Sequence, residues 1–427
     1  MTKPYSVLAG KAVRYIAQLR GGGSALPGLF VEKIDRDFVA DTLGQLPRGV
    51  VLVSGTNGKT TTTKMVVELL ESQGLRVFTN RTGSNFVRGV AAALLGAVDT
   101  RGKLDADIAV LELDEAHAVK FVERISPTYS LLLNVMRDQL DRFGEIDYTA
   151  DLLHTIALAT TDGVVLNRDD PRLGSKAFRQ DITVPVRSFG VSNVLLSQFP
   201  SDDELRTATK KITFKASLFH EDTSLETMQG NTATIAYDRK KYSVDLKING
   251  IYNVLNAVGA VALCRMVMGS ELDQKALFGA LANVTPAFGR GESLIVNGQP
   301  CQLVLVKNPS GFRLGLQSFS AKGYATMIAI NDNYADGRDM SWLWDVDFDS
   351  LRAGGVAEIS GIRAYDMALR LQYDDVPVGN VSTDLKKALE RFIATHSATP
   401  KRIYCTYTAM LALRRELAKI TTVEDVR

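Results

Sequence analysis

From residue 50 onward, short apolar runs rich in Val, Ile and Leu alternate with segments of helical spacing. Runs at 50–53, 75–79, 108–113, 129–134 and 163–166 predict strands, and 60–72 and 148–159 predict helices between them. Apolar runs without polar alternation suit strands buried on both faces, so a mostly parallel sheet with helices on either side is expected. Residues 191–247 break the pattern. They are polar, contain Ser201-Asp202-Asp203-Glu204, and then alternate with a period of two at 232–237 and 241–246. That predicts a small antiparallel insertion or sheet extension. A helix at 254–268 returns the chain to its α/β pattern. Beyond Pro286–Gly298 the pattern changes again, with strands at 303–306, 326–330 and 403–406 and helices at 384–394 and 407–419. The expected division is an N-terminal segment 1–48, a central domain 49–297 and a second, Rossmann-like α/β domain 298–427. Within the first segment, 5–19 reads as a short basic amphipathic helix, followed by the break Gly21-Gly22-Gly23-Ser24. Docking of that helix on the protein's own surface is expected, with membrane contact as the alternative.

Composition narrows the class. A chain of 427 residues implies two or three domains, and 45% hydrophobic with 23% charged residues is a globular balance. A formal charge of +2 gives no overall field for nucleic acid or an anionic membrane. Cys264, Cys301 and Cys405 are far apart and form no CxxC pair, so neither a disulfide framework nor a cysteine zinc site is expected. No apolar run is read as approaching membrane-spanning length, and a cytoplasmic location follows by default.

The chemistry starts at Val53-Ser54-Gly55-Thr56-Asn57-Gly58-Lys59-Thr60-Thr61, between a predicted strand and a predicted helix. Strand, glycine-rich loop and helix N-terminus form a phosphate cradle, because backbone N–H groups point at anionic oxygens. Lys59 adds a point charge for the terminal phosphates and the Thr60 hydroxyl suits Mg²⁺. The general G-x-x-x-x-G-K-[ST] pattern is not met, since Val53 stands at its first glycine. Glu112 closes the strand run Ile108–Leu113, where a parallel sheet presents groups to ligand; beside the loop it is the second candidate for Mg²⁺, with Asp114 and Glu115 ranked below it.

The short loop form resembles that of the Mur ligase superfamily, which makes amide bonds with ATP. Further segments carry the resemblance. Asn134 to Gly144 is similar to the family's N-x-x-x-D-H-L-D-x-x-G, with Asp138 and Asp141 in place and Gln139 where the family has a metal-holding His. Asn167-Arg168-Asp169-Asp170-Pro171, Gly250-Ile251-Tyr252-Asn253-Val254-Leu255-Asn256 and Phe288-Gly289-Arg290-Gly291-Glu292 are similar to its later motifs. The resemblance implies that Gly55, Thr56, Asn57, Gly58, Lys59, Thr60 and Thr61 bind ATP phosphates. It also implies that Asn167 and Asp170 contact base or ribose, that Asn253 and Asn256 reach adenine or the loop, and that Arg290 grips the phosphates or the adenosine side.

The last third selects the branch. Lys307-Asn308-Pro309-Ser310-Gly311 stands where amino-acid-adding Mur ligases carry D-Y-A-H-N-P, without the Asp and His. Asn331 to Asp345, Gly361 to Arg370 and Thr406 to Arg414 resemble the C-terminal domain of the MurT family, the ligase subunits of MurT/GatD lipid II isoglutaminyl synthases. Many MurT proteins carry a four-cysteine zinc ribbon in the central domain; 191–247 holds no Cys, so no such site is expected here. The implied reaction is ATP-dependent amidation of the α-carboxylate of D-glutamate in the lipid II stem peptide, at the inner face of the membrane. Ammonia would come from a GatD-type glutaminase in a heterodimer. The family also places an Asp of this domain at the glutaminase interface; Asp336, Asp339 and Asp345 remain open for it. Two other readings are an amino-acid-adding ligase of muramyl or folylpolyglutamate type, and a nucleotide-binding scaffold without ligase activity.

Overall fold

Strand β1 (Val50–Ser54) is buried at every residue and splits its side chains between two cores. Val51 and Val53 face one core, and Val50 and Leu52 the other, which is the period of two that a doubly covered strand requires. The computed structural model describes residues 4–19, 26–80, 86–137, 146–199, 222–248, 250–285, 290–319 and 321–423. The remaining strands of the first sheet are β2 (Val77–Thr79), β3 (Ile108–Glu112), β4 (Tyr129–Leu132), β5 (Gly163–Asn167), β6 (Val186–Val191), β7 (Thr223–Gln229), β8 (Thr232–Tyr237) and β9 (Lys240–Asp245). Their order is β2-β3-β1-β4-β5-β6-β7-β8-β9. Pairing is parallel from β2 to β7 and antiparallel from β7 to β9. The polar stretch after residue 191 thus extends the main sheet. β6 escaped the apolar pattern because Arg187 and Ser188 interrupt it.

Helices Lys59–Ser72 and Ile251–Met268 cover one face. Helices Pro4–Leu19, Leu26–Ile34, Phe38–Leu43, Val87–Ala97, Glu115–Val122 and Ile146–Leu158 build the other. The reading of the apolar runs needs a correction: Ile251–Met268 leads a stretch long and apolar enough to cross a membrane, but 78% of its apolar window is buried inside the protein. It is apolar nearly all round because the sheet and helix Lys59–Ser72 enclose it.

The second sheet contains β10 (Arg290–Val296), β11 (Gln299–Leu305), β12 (Ala325–Ala329), β13 (Val356–Ser360), β14 (Val378–Ser382) and β15 (Lys401–Cys405), ordered β10-β11-β15-β12-β13-β14. All pairs are parallel except the β10–β11 hairpin, which turns on Asn297 (φ 52°) and Gly298 (φ 73°). This sheet therefore starts at Arg290, ahead of the division expected after residue 297. β14 carries Gly379 and Asn380, both exposed, so no apolar run announced it.

Candidate active site

The loop between β1 and helix Lys59–Ser72 needs two glycines. Gly55 (φ 132°) and Gly58 (φ 92°) adopt left-handed backbone, and a Cβ on Gly58 would sit 2.4 Å from Asn256 Nδ2. The strand end after β4 clamps the other side. Asn57 N donates to Asn134 Oδ1 (2.9 Å), Asn134 Nδ2 donates to the Asn57 carbonyl (2.9 Å), and Thr56 N donates to the Asn134 carbonyl (3.0 Å). Met136 N donates to Thr56 Oγ1 (3.0 Å). Asn134 and Asn256, both motif positions in the sequence, thus flank the loop, Asn134 through hydrogen bonds and Asn256 by packing against Gly58. Thr61 is fully buried in the helix, facing the core.

Lys59 Nζ lies 2.7 Å from the Gly55 carbonyl and 3.2 Å from Glu115 Oε2, and both side chains are almost completely buried. Beside it Thr60 Oγ1 donates to Glu112 Oε1 (2.8 Å). Asn80 fixes Glu112 by a reciprocal pair: Glu112 N donates to Asn80 Oδ1 (3.0 Å) and Asn80 Nδ2 to the Glu112 carbonyl (2.9 Å). Sequence reading did not find Asn80; it lies between predicted elements with no motif of its own. Among the described residues no group of three or more His, Cys, Asp or Glu could hold a metal unaided. Mg²⁺ needs no such cage, since it takes one or two protein oxygens beside phosphate and water. The paired oxygens of Thr60 and Glu112 at the loop suit that donor set.

A cleft of about 1190 Å³, counting its open mouth, runs from Asn57 and Gly58 past Asn167, Tyr252 and Asn253. Phe199 and Tyr252 meet edge to face at 5.6 Å on its wall, and Lys307 and Phe319 reach it from the second sheet. Asp170 has both oxygens engaged by backbone. Oδ2 accepts from Val135 N (2.7 Å), and Oδ1 from Arg172 N (2.9 Å) and Leu173 N (3.1 Å). Burial pushes its carboxyl up to about 6. Asp170 therefore braces the wall of the cleft. Arg290 opens β10, but its side chain lies outside the described set, as do Asp138, Gln139, Asp141, Phe288 and Gly289.

The carboxyl edges of the two sheets meet here. Asn308 follows β11 and caps helix Pro309–Ser318, its Oδ1 accepting from Gly311 N (2.6 Å). Its Nδ2 lies 3.4 Å from Asn57 Oδ1, and Ser310 Oγ donates to the Arg137 carbonyl (3.0 Å). The three open aspartates are not together. Asp336 is buried where β12 and β15 end: Oδ1 accepts from Thr408 N (2.7 Å), and Oδ2 from Thr408 Oγ1 (2.5 Å) and Asn333 N (3.1 Å). It caps helix Tyr407–Leu417, and burial raises its carboxyl above the ordinary value. Asp339 caps Ser341 N (2.9 Å). The Asp345 carbonyl accepts from the Arg313 guanidinium, and its side chain borders a separate groove with Trp344 and Arg370.

Comparison with known proteins matches residues 53–264 to the Mur ligase middle domain and 305–410 to the MurT ligase C-terminal domain. The lipid II isoglutaminyl synthase (glutamine-hydrolyzing) subunit MurT of Streptococcus pneumoniae (strain ATCC BAA-255 / R6) is 30% identical, over 96% of each chain. The chain belongs to the MurT family. The MurT fold is shared with a pseudomurein peptide ligase type C from Methanothermus fervidus (TM-score 0.67, 19% identity, 90% of this chain and 81% of that one). It is also shared with the MurF ligase from Thermotoga maritima in complex with ADP (TM-score 0.65, 17% identity, 90% and 81%). In this MurT chain the three cysteines are buried, and burial pushes the Cys264 and Cys301 thiols up to about 12.

Proposed function

We propose that this chain is the ATP-dependent amidating subunit of a lipid II isoglutaminyl synthase, acting in the cytoplasm at the inner face of the membrane. The observation that carries the reading is the pairing of Thr60 with Glu112 and of Lys59 with Glu115 on one glycine loop, beside a cleft completed by the MurT-type domain through Asn308. The α-carboxylate of D-glutamate takes the γ-phosphoryl group of ATP, giving an acyl phosphate and ADP. Ammonia then attacks the acyl carbon, the C–O bond to phosphate breaks, and a proton leaves as the amide forms. Lys59 and the loop N–H groups orient the phosphates. Thr60 and Glu112 would hold Mg²⁺, which supplies charge neutralisation when bound. Gly55, Thr56, Asn57 and Gly58 would line the triphosphate path, with Asn167 and Asn253 toward the nucleoside.

Ammonia comes from a partner, a GatD-type glutaminase. All three cysteines are buried, out of reach of a glutamine substrate, and so are unsuited to its hydrolysis. Helix Ala364–Tyr373 exposes Tyr365, Leu369 and Tyr373 at i, i+4 and i+8, beside Ile362 and Trp344. An aromatic stripe of this kind is what a subunit interface is built on. The amino-acid-adding reading is disfavoured by the Lys307-Asn308-Pro309 segment, where Asn308 serves as a helix cap against the loop.

The test is mass spectrometry of lipid II incubated with the chain, ATP, Mg²⁺ and either ammonium or glutamine plus the partner. A small mass loss, carboxyl to carboxamide, supports the reading. Addition of an amino acid overturns it, and so does tight ATP binding without any product.

A further inference from the structure

Both Asp170 oxygens are taken by backbone N–H groups, whereas its neighbour Asp169 keeps one open to the cleft. The Asp169 side chain is 8% exposed and stands on the cleft wall with Asn167 and Phe199. Its Oδ2 accepts from Val191 N (2.6 Å). The carboxylate reaches β6 because Gly190 has no side chain: a Cβ there would stand 2.5 Å from Oδ2. Among the described residues, the polar partner of Oδ1 is the Arg168 guanidinium alone, with Nε at 3.8 Å, beyond hydrogen-bond reach. Arg168 is committed elsewhere, to Asp222 Oδ2, the Val191 carbonyl and Ser224 Oγ, each at 3.1 Å. Burial raises the Asp169 carboxyl above its ordinary value, the mark of an ionised group short of donors.

Asn167 supplies the complement. It is buried on the same wall, and its Oδ1 accepts from Asp169 N (3.0 Å). That partner is a donor, so the oxygen end of the amide is fixed there and the Nδ2 end is left to give. A donor and an acceptor thus stand side by side at the end of β5. The edge of adenine carries the matching pair, the 6-amino donor beside the N7 acceptor; a 6-oxopurine such as guanine shows two acceptors, O6 and N7. Phe199 and Tyr252 give the wall a flat apolar surface that suits a planar ring. β5 lies two strands from β1, about 10 Å away at the usual strand spacing, so the pair stands toward the nucleoside end of a triphosphate held by the loop. A ribose diol calls on both oxygens of a carboxylate, and Val191 N already engages one of these.

We propose that Asp169 Oδ1 and Asn167 Nδ2 read the base of the nucleotide, the first accepting from the 6-amino group of adenine and the second donating to its ring nitrogen, so that the site selects adenine over a 6-oxopurine. The inference rests on the nucleotide-binding part of the function proposed above. It is read by binding alone, without acceptor lipid, partner or turnover, so the two can fail separately.

The full chain is titrated calorimetrically, with Mg²⁺ present, with ATP, inosine triphosphate and 2′-deoxy-ATP. The parent is expected to bind ATP about 10-fold or more tighter than inosine triphosphate, the scale of a good two-point base contact. In Asp169→Asn the amide oxygen stays on the Val191 N–H and the amino group faces the cleft. ATP then weakens, inosine triphosphate binds better, and the preference is erased or reversed. Asp169→Ser, the second variant, removes the carboxylate and should erase the preference without favouring inosine triphosphate. Thermal midpoints show which variants are folded, and each ratio compares two ligands on one protein. Equal affinity of the parent for ATP and inosine triphosphate overturns the proposal, as does an ATP preference that survives in either folded variant. A penalty for 2′-deoxy-ATP that vanishes in the variants also overturns it, by placing Asp169 on the ribose. A parent that binds none of the nucleotides removes the proposed function along with it.

Discussion

Lys59 Nζ lies 3.2 Å from Glu115 Oε2, with both groups almost out of water. The cation proposed for the ATP phosphates is thus already neutralised by a carboxylate from the first turn of helix Glu115–Val122. On that proposal an incoming phosphate competes with Glu115, and its binding is partly an exchange of counter-ions. Breaking a buried pair from one side costs on the order of 3–5 kcal/mol. Glu115→Gln is therefore expected to lower the thermal midpoint without nucleotide, and to show a larger ATP-induced rise than the parent. Equal rises in a thermal scan would mean that Glu115 does not compete.

Thr60 and Glu112 share a 2.8 Å hydrogen bond. Thr60→Val or Glu112→Gln is expected to reduce turnover about 100-fold or more, the scale for losing one preorganised charge-stabilising group. The Mg²⁺ concentration for half-maximal rate should rise in both variants. A magnesium titration with unchanged midpoint would separate these residues from the metal.

Asp336 holds the first turn of helix Tyr407–Leu417. An amide cannot accept on both sides, so Asp336→Asn should lose about 1–2 kcal/mol in urea unfolding, the scale of a lost cap. The same variant, with Asp339→Asn and Asp345→Asn, decides which aspartate serves the glutaminase. The one that does loses glutamine-dependent amidation and keeps ammonium-dependent amidation.

Asp170 titrates at about 6, above its ordinary 3.8, because burial outweighs its three N–H contacts. The protonated carboxyl therefore suits the fold better than the ionised one. Its contribution to stability is whole below about pH 4 and is lost as pH rises through about 6. The displacement is worth on the order of 3 kcal/mol. Measured against Asp170→Asn, whose side chain does not titrate, the parent should lose about that much stability between pH 4 and 7. Parallel stability curves would refute the assignment.

The loop, the Glu112 strand end and the alternation after residue 231 were legible because each is local: a few residues fix a turn, a strand end or a face. Legibility failed where partners are distant in sequence. Asn80 and Glu112 are 32 positions apart and Asn57 and Asn308 are 251 apart, and no periodicity links either pair. The resemblance implies that Asp170 contacts base or ribose; what no local pattern announced is that three backbone N–H groups engage its carboxylate where it lines the cleft. The half-exposed β14 and the interrupted β6 gave no apolar run to read.

Helix Ile251–Met268 also has a consequence for synthesis. β1 to β9 all leave the ribosome before it, and it supplies much of the cover for one face of their sheet. Until residue 268 has emerged, Val51, Val53, Val110 and Val165 lack this part of their cover. The nascent protein therefore passes through a long adhesive interval, in which the uncovered sheet face is prone to stick to its neighbours.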